Sequence, residues 1–206
     1  MPVAKGGSID PAATRSKVLA AAARLFYERG VNGVGVNEIA ARAEASKLSI
    51  YRYFQSKENL VESMLAAHSD RIHDWLRRST ASAAEGPDRV LAIFDLLMGW
   101  FAERDYRGCT VLNTVIDTRG DQDGVRAIAR EHLKRYRDLL EERLAEAGVA
   151  EPAPVARQLL LLIEGVTMVT TIDGDNSAGA DARAAALALI EAAARKDRKA
   201  RRRPAR

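Results

Sequence analysis

The sequence predicts an all-α protein of about nine helices, and three observations carry that expectation. Alanine and leucine dominate, and there are no alternating Val/Ile/Thr-rich runs of the kind that build strands. Apolar residues recur at helical spacing between recognisable start and stop signals. The stretch Val36 to Phe54, VNEIAARAEASKLSIYRYF, reads as two short helices joined by a tight turn.

The first helix starts at Asp10-Pro11, with Asp10 as N-cap and Pro11 in the first turn. Val18, Leu19, Ala22, Leu25 and Phe26 supply its inner face, and Gly30 ends it. The second runs from about Val36 to Ala43, and the third from Lys47 to Phe54 with Ser46 as its cap. Ser56 caps a long fourth helix beginning at Lys57 and ending near Thr80. Leu60, Met64, His68, Ile72 and Trp75 form its predicted inner stripe. Gly86-Pro87 marks a boundary, after which five helices are expected at about 88–104, 109–118, 121–147, 152–173 and 180–195. The 121–147 helix turns Val125, Ile128, Leu133, Tyr136, Leu140 and Leu144 inward. Helix 152–173 is apolar nearly all round, so it must be covered on more than one side.

The expected organisation is a head at 10–54, a linking helix at 55–80 and a body at 87–195. Disordered tails are expected at 1–9 and 196–206. The formal charge of +4 is unevenly spread: residues 10–62 carry net +2, residues 63–194 net −6, and the tail 195–206 net +7. A small basic head on an acidic body fits this better than a chain that coats nucleic acid throughout. The lone cysteine, Cys109, excludes an internal disulfide framework and fits a reducing cytoplasm. It reads as a small buried group rather than an oxidation sensor. MPVAKGGSIDP has no apolar signal core, and the run Leu159–Ile172 is broken by Glu164, so neither an export signal nor a membrane span is expected. His68, His73 and His132 have no cysteine cluster beside them, and neither a metal nor a cofactor is expected. No nucleophile–base pair or phosphate-cradling glycine loop falls at meaningful spacing, which argues against a small helical enzyme.

The third helix gathers Lys47, Ser49, Tyr51, Arg52 and Tyr53. Cationic, hydroxyl and phenol groups on one short helix can meet phosphates and base edges in a major groove. The run VLAAAARLFYERG…VNEIAARAEASKLSIYRYFQSKENLVESML resembles the N-terminal DNA-binding domain of the TetR family of bacterial transcriptional regulators over about residues 14–65. The Ile39-Ala40 pair, Ser46-Lys47, the Tyr51-x-Tyr53-Phe54 trio and Ser56-Lys57-Glu58 all fall in register. GCTVLNTVID and ARQLLLLIEG resemble segments of some C-terminal domains less specifically. Three departures stand out. Glu44 occupies the usual turn glycine, Gly35 the usual Ser/Thr before helix two, and Leu48 a position where a small residue is common.

The resemblance and the helix geometry together give the expected DNA contacts. Lys47 and Arg52 read bases, with guanine the target of the arginine fork. Ser46, Tyr51, Tyr53 and Lys57 hold phosphate, helped by the free N–H groups at the start of helix four. Ser49 touches either, Leu48 meets a thymine methyl or limits how deeply the helix sits, and Gly35 caps helix two without the hydroxyl that could also bind phosphate. The expected partner is double-stranded operator DNA, bound by a homodimer joined through the helices at 152–173 and 180–195. Trp75, Phe94, Met98, Trp100, Phe101, Cys109, Asn113, Tyr136, Glu164 and Met168 are candidate linings of a pocket for a small-molecule effector. The expected function is a repressor released from a palindromic operator by that effector, with a ligand-independent regulator as the alternative.

Overall fold

The computed structural model describes residues 10–119 and 122–201, with side chains up to Arg195. Among the described residues there are nine helices and no strand. They are α1 (Pro11–Arg29), α2 (Val36–Arg42), α3 (Lys47–Phe54), α4 (Lys57–Ala81), α5 (Pro87–Phe101), α6 (Thr110–Asp117), α7 (Asp123–Glu146), α8 (Pro152–Asp173) and α9 (Ser177–Arg201). The expected helix count and order hold. α5 ends three residues before the expected 104, and α9 starts earlier and extends through Arg201. Residues 196–201, expected in a disordered tail, are therefore helical backbone. The rest of that tail and residues 1–9 lie outside the described residues.

Packing divides the chain into two compact units. One contains the described residues through Ser69 together with Thr110–Ala129; the other contains Asp70–Cys109 and the chain from Arg130 onward. α4 and α7 each contribute a segment to both. The sequence marked a boundary at Gly86-Pro87, whereas in the packed chain α6 belongs with the head.

In the head unit, α1 packs on α2 and α3. Asp10 caps α1 by accepting from Ala12 N–H at 2.9 Å. Val18, Ala22, Phe26, Ile39, Ile50 and Phe54 are buried together with Leu60 and Met64 of α4. Arg29 at the end of α1 pairs with Glu38 of α2 and also donates to Gly33 O at 2.7 Å. The α1–α2 loop is tied to two further elements. Asp117, the last residue of α6, accepts from Val31 N–H at 2.8 Å, and its carbonyl accepts from Asn32 Nδ2 at 2.6 Å. Lys57 Nζ donates to Val31 O at 2.7 Å. Gly30 makes this approach possible. Its φ is +74°, and a Cβ there would lie 2.6 Å from an Asp117 carboxylate oxygen.

In the second unit, α9 packs on α5 and α8. The core comprises Leu76, Phe94, Leu97, Leu140, Leu144, Leu159, Ile163 and Ile190 with their neighbours. Arg183 of α9 pairs with Asp95 of α5 at 2.7 Å, and Arg77 of α4 with Glu142 of α7 at 2.7 Å.

The inner stripe of α4 differs from the expected one. The buried residues are Val61, Leu65, Ser69, His73, Leu76 and Thr80, with Leu60 and Met64 beside the first of them, while Trp75 is 37% exposed. The buried line has the same steps of four and three as the expected one but lies one residue further along, about 100° around the helix, so His68 and Ile72 fall at its edge and Trp75 outside it.

Candidate nucleic-acid interface

α3 is short, so its local anchors decide how it sits. Ser46 has extended backbone, and its Oγ accepts from Ser49 N–H at 3.0 Å. The preceding turn places Glu44 at φ +51°, the left-handed conformation that the missing glycine adopts freely. Glu44 lies 3.9 Å from Lys17 Nζ. Ile50 and Phe54 are buried at 1% and 3% exposure and pin one face of α3 to the core. Lys47, Leu48, Tyr51 and Arg52 lie beside that buried side and within about 140° of each other around the helix. All four are exposed, Leu48 to 78% and Tyr51 to 39%.

The two cations that the sequence assigned to base reading therefore point outward. Each lies along a phenol ring of its own helix. Lys47 Nζ is 5.9 Å from the Tyr51 ring centre, and the Arg52 guanidinium is 5.2 Å from that of Tyr53. These contacts extend both side chains along the helix surface without removing their charge. Tyr53 is half-buried, with its ring edge-on to Phe54. Gly35 has ordinary extended backbone, makes no side-chain cap on α2, and has open space where a Cβ would stand.

At the start of α4 the expected cap forms: Ser56 Oγ accepts from Asn59 N–H at 3.1 Å. The carboxyl of Glu58 is held below its usual range, first by its own backbone N–H, then by Ser56 and the charge of Lys57. The free amides there are thus already served by side chains, which weakens the expectation of an empty anion site. Lys57 is half-buried and ties the loop at Val31. Two of its three donors remain for an outside acceptor.

The candidate pocket residues fall into several environments. Phe94 and Phe101 are core residues, at 1% and 5% exposure. Trp75 and Met168 are outward, at 37% and 39% exposure. Asn113 belongs to the head unit with α6, and the other candidates belong to the second unit. Met98 is half-buried and lies beside Gly179, where a Cβ would be 2.6 Å from its Cγ. Trp100 meets Tyr106 edge-on at 4.9 Å. Tyr136 is 7% exposed, and burial pushes its phenol well above the usual range, with Cys109 and Glu164 adding to the shift.

The sequence singled out His73 and His132 only as weak metal candidates and did not show their pairing: they share a 3.0 Å hydrogen bond between Nε2 and Nδ1. Burial, with Arg135 adding to it, holds His73 down at about 4. The i, i+4 spacing of His132 and Tyr136 was a signal for this cluster. No group of three or more metal-ligating side chains is found among the described residues.

A short capped helix with its charged face outward, held by a packed α1 and α2, defines a DNA-binding protein of the helix-turn-helix class. Comparison with known proteins places it more closely. The family described as bacterial regulatory proteins, tetR family, matches residues 18–64, and the tetracyclin repressor-like C-terminal domain matches residues 86–186. The chain belongs to the TetR family, and it is a DNA-binding transcriptional regulator. It is 30% identical over 143 residues to the transcriptional regulator LmrA of Bacillus subtilis, covering 67% of this chain and 74% of that protein. It is 36% identical over 92 residues to the transcriptional repressor NemR of Escherichia coli K12, covering 44% and 46% of the two chains. The crystal structure of the reduced form of E. coli NemR superposes with a TM-score of 0.78 at 25% identity, over 84% of this chain and 94% of that one. The transcriptional activator FasR of Mycolicibacterium smegmatis is 30% identical over 104 residues, 50% of this chain and 47% of that protein.

Proposed function

We propose that the chain acts as a homodimer that represses transcription from a palindromic operator and is released by a small molecule. The observation that carries this reading is the outward face of α3. Lys47 and Arg52 read base edges. Ser46, Tyr51, Tyr53 and Lys57 hold phosphate, Ser49 and Leu48 complete the groove contact, and Gly35 allows close approach at the start of α2. Two such helices enter one face of a duplex when they stand about 34 Å apart, or a multiple of that.

The second copy docks on α8 and α9. Leu161, Met168, Val169 and Ile172 are exposed along one side of α8, at 73%, 39%, 43% and 72%. Gly165 lies among them, with nothing within 4 Å of a Cβ position. Ala184 and Ala188 are exposed on α9 and let another helix come close. α8 is long and apolar enough to cross a membrane by length and composition alone. A helix with one side in the core and the other against a second copy has the same composition.

The α6–head tie gives an effector something to act on, since moving Asp117 moves the loop that precedes α2. A coupling of about 1–3 kcal/mol between the effector and DNA sites is enough. Repression is the simpler sign of regulation, because a bound operator blocks a promoter without any further contact surface.

The test is titration of selected operator fragments at several salt concentrations. Arg52→Ala is expected to relax sequence preference, costing about 1–3 kcal/mol at one base pair. Lys57→Ala is expected to weaken all sequences alike and lower the salt slope by about one. Equal, sequence-blind losses from both variants would overturn the assignment.

A further inference from the structure

Two polar groups in the second unit are left without partners by the packing around them. Glu164 is half-buried on α8 and makes no ion pair or hydrogen bond among the described residues. Burial alone pushes its carboxyl upward, with no neighbouring cation acting on it. Tyr136 of α7 packs edge-on against the rings of His73 and His132, at 4.8 and 5.2 Å. Its hydroxyl has no hydrogen-bond partner among the described residues. The groups that act on it electrostatically are Cys109 and Glu164, and both become negative on losing a proton.

The same face of α8 carries an aromatic wall. Thr167 and Thr171 follow Glu164 at steps of three and seven, so all three share a side of the helix. Tyr106 Oη donates to Thr167 O at 3.0 Å and lies 3.0 Å from Thr171 Oγ1. Its ring is thereby fixed beside that side, with Trp100 and Phe101 meeting it edge-on at 4.9 and 5.3 Å. A buried phenol ordinarily finds a partner, and a carboxylate removed from water ordinarily finds a cation. Here Glu164 of α8, Tyr136 of α7 and the ring of Tyr106 supply an acid, a phenol and an aromatic face, and no lysine or arginine acts on the acid or the phenol.

We infer that Glu164, Tyr136 and Tyr106 form a site for an organic cation, an aryl-alkyl amine whose ammonium meets Glu164 and the Tyr136 hydroxyl while its ring packs against Tyr106 and Trp100. The carboxylate supplies the opposite charge, and the aromatic faces attract a desolvated cation. An anion of the same shape would meet Glu164 with like charge, and a neutral alcohol would leave it unpaired. This rests on the effector reading above and gives that effector a chemical class.

Three probes of one shape test it on the full chain: phenethylamine, phenethyl alcohol and phenylacetate, followed by thermal shift and calorimetric titration. The amine is expected to raise the melting temperature in a concentration-dependent way, since it binds only the folded state. The alcohol and the carboxylate are expected to leave it unmoved. Glu164→Gln is expected to weaken amine binding roughly tenfold or more, and Tyr136→Phe by a smaller factor. The melting temperature of each variant without probe checks that it is folded. Failure of the amine to bind overturns the assignment, as does equal binding of phenylacetate or an amine affinity untouched by Glu164→Gln. Release of operator by phenylacetate would overturn the cation assignment and keep the effector reading. Failure of a broad metabolite panel to release operator would defeat the effector reading itself.

Discussion

α3 and α8 are each anchored by one buried side, and they differ in what the other side offers. The free side of α3 carries Lys47, Tyr51 and Arg52, with one apolar residue, Leu48. The free side of α8 is apolar from Leu161 to Ile172. An exposed charged side suits a polyanion, because binding there gains from counterion release and weakens with salt. An exposed apolar side suits a second protein surface, where salt matters little. The comparison teaches that the exposed remainder of each helix, once packing has claimed its inner face, defines the partner.

The sharpest way to break the comparison is to give α8 the character of α3. Leu161→Arg with Ile172→Arg is expected to convert the dimer to monomer in sedimentation and to lower operator affinity by more than about a hundredfold, since each half-site is then bound alone. Folding should survive, because both side chains are exposed at 73% and 72%. A dimer that persists would move the seam elsewhere.

A smaller effect is expected from the tie between α6 and the head. Asp117→Ala leaves Val31 N–H without its acceptor in a part-buried place, at a cost of about 1–3 kcal/mol. Thermal denaturation should record the loss, and operator binding should weaken for all sequences alike. Unchanged DNA affinity in a destabilised protein would reduce the tie to plain packing.

The smallest effect is expected at the turn. Glu44→Gly relieves a left-handed residue at φ +51° and removes a side chain that holds Lys17 only at 3.9 Å. A gain of about 1 kcal/mol in chemical denaturation is expected, with operator preference unchanged. A loss of stability would show that the Glu44–Lys17 pair outweighs the backbone strain.

Much of the head was legible because its signals are local. Asp10, Gly30, Ser46 and Ser56 act within a few residues, and their caps lie where the sequence put them. The inner stripe of α4 was legible only in part: Leu60 and Met64 are buried as expected, but beyond them the buried line runs one residue later, through Ser69, His73 and Leu76 in place of His68, Ile72 and Trp75. Size and polarity, the only signals a sequence offers for a pocket, do not separate Phe94, which fills the core, from Met168, which faces outward.

Period and capping, which are properties of neighbouring residues, fix the helices, their caps, and the outward set Lys47, Leu48, Tyr51 and Arg52. Only the tertiary structure decided that α6 joins the head through Asp117, that His73 pairs with His132, and that Glu164 and Tyr136 are left without a cation. Those facts depend on residues tens of positions apart being brought within hydrogen-bond or electrostatic reach, and no local pattern encodes that distance.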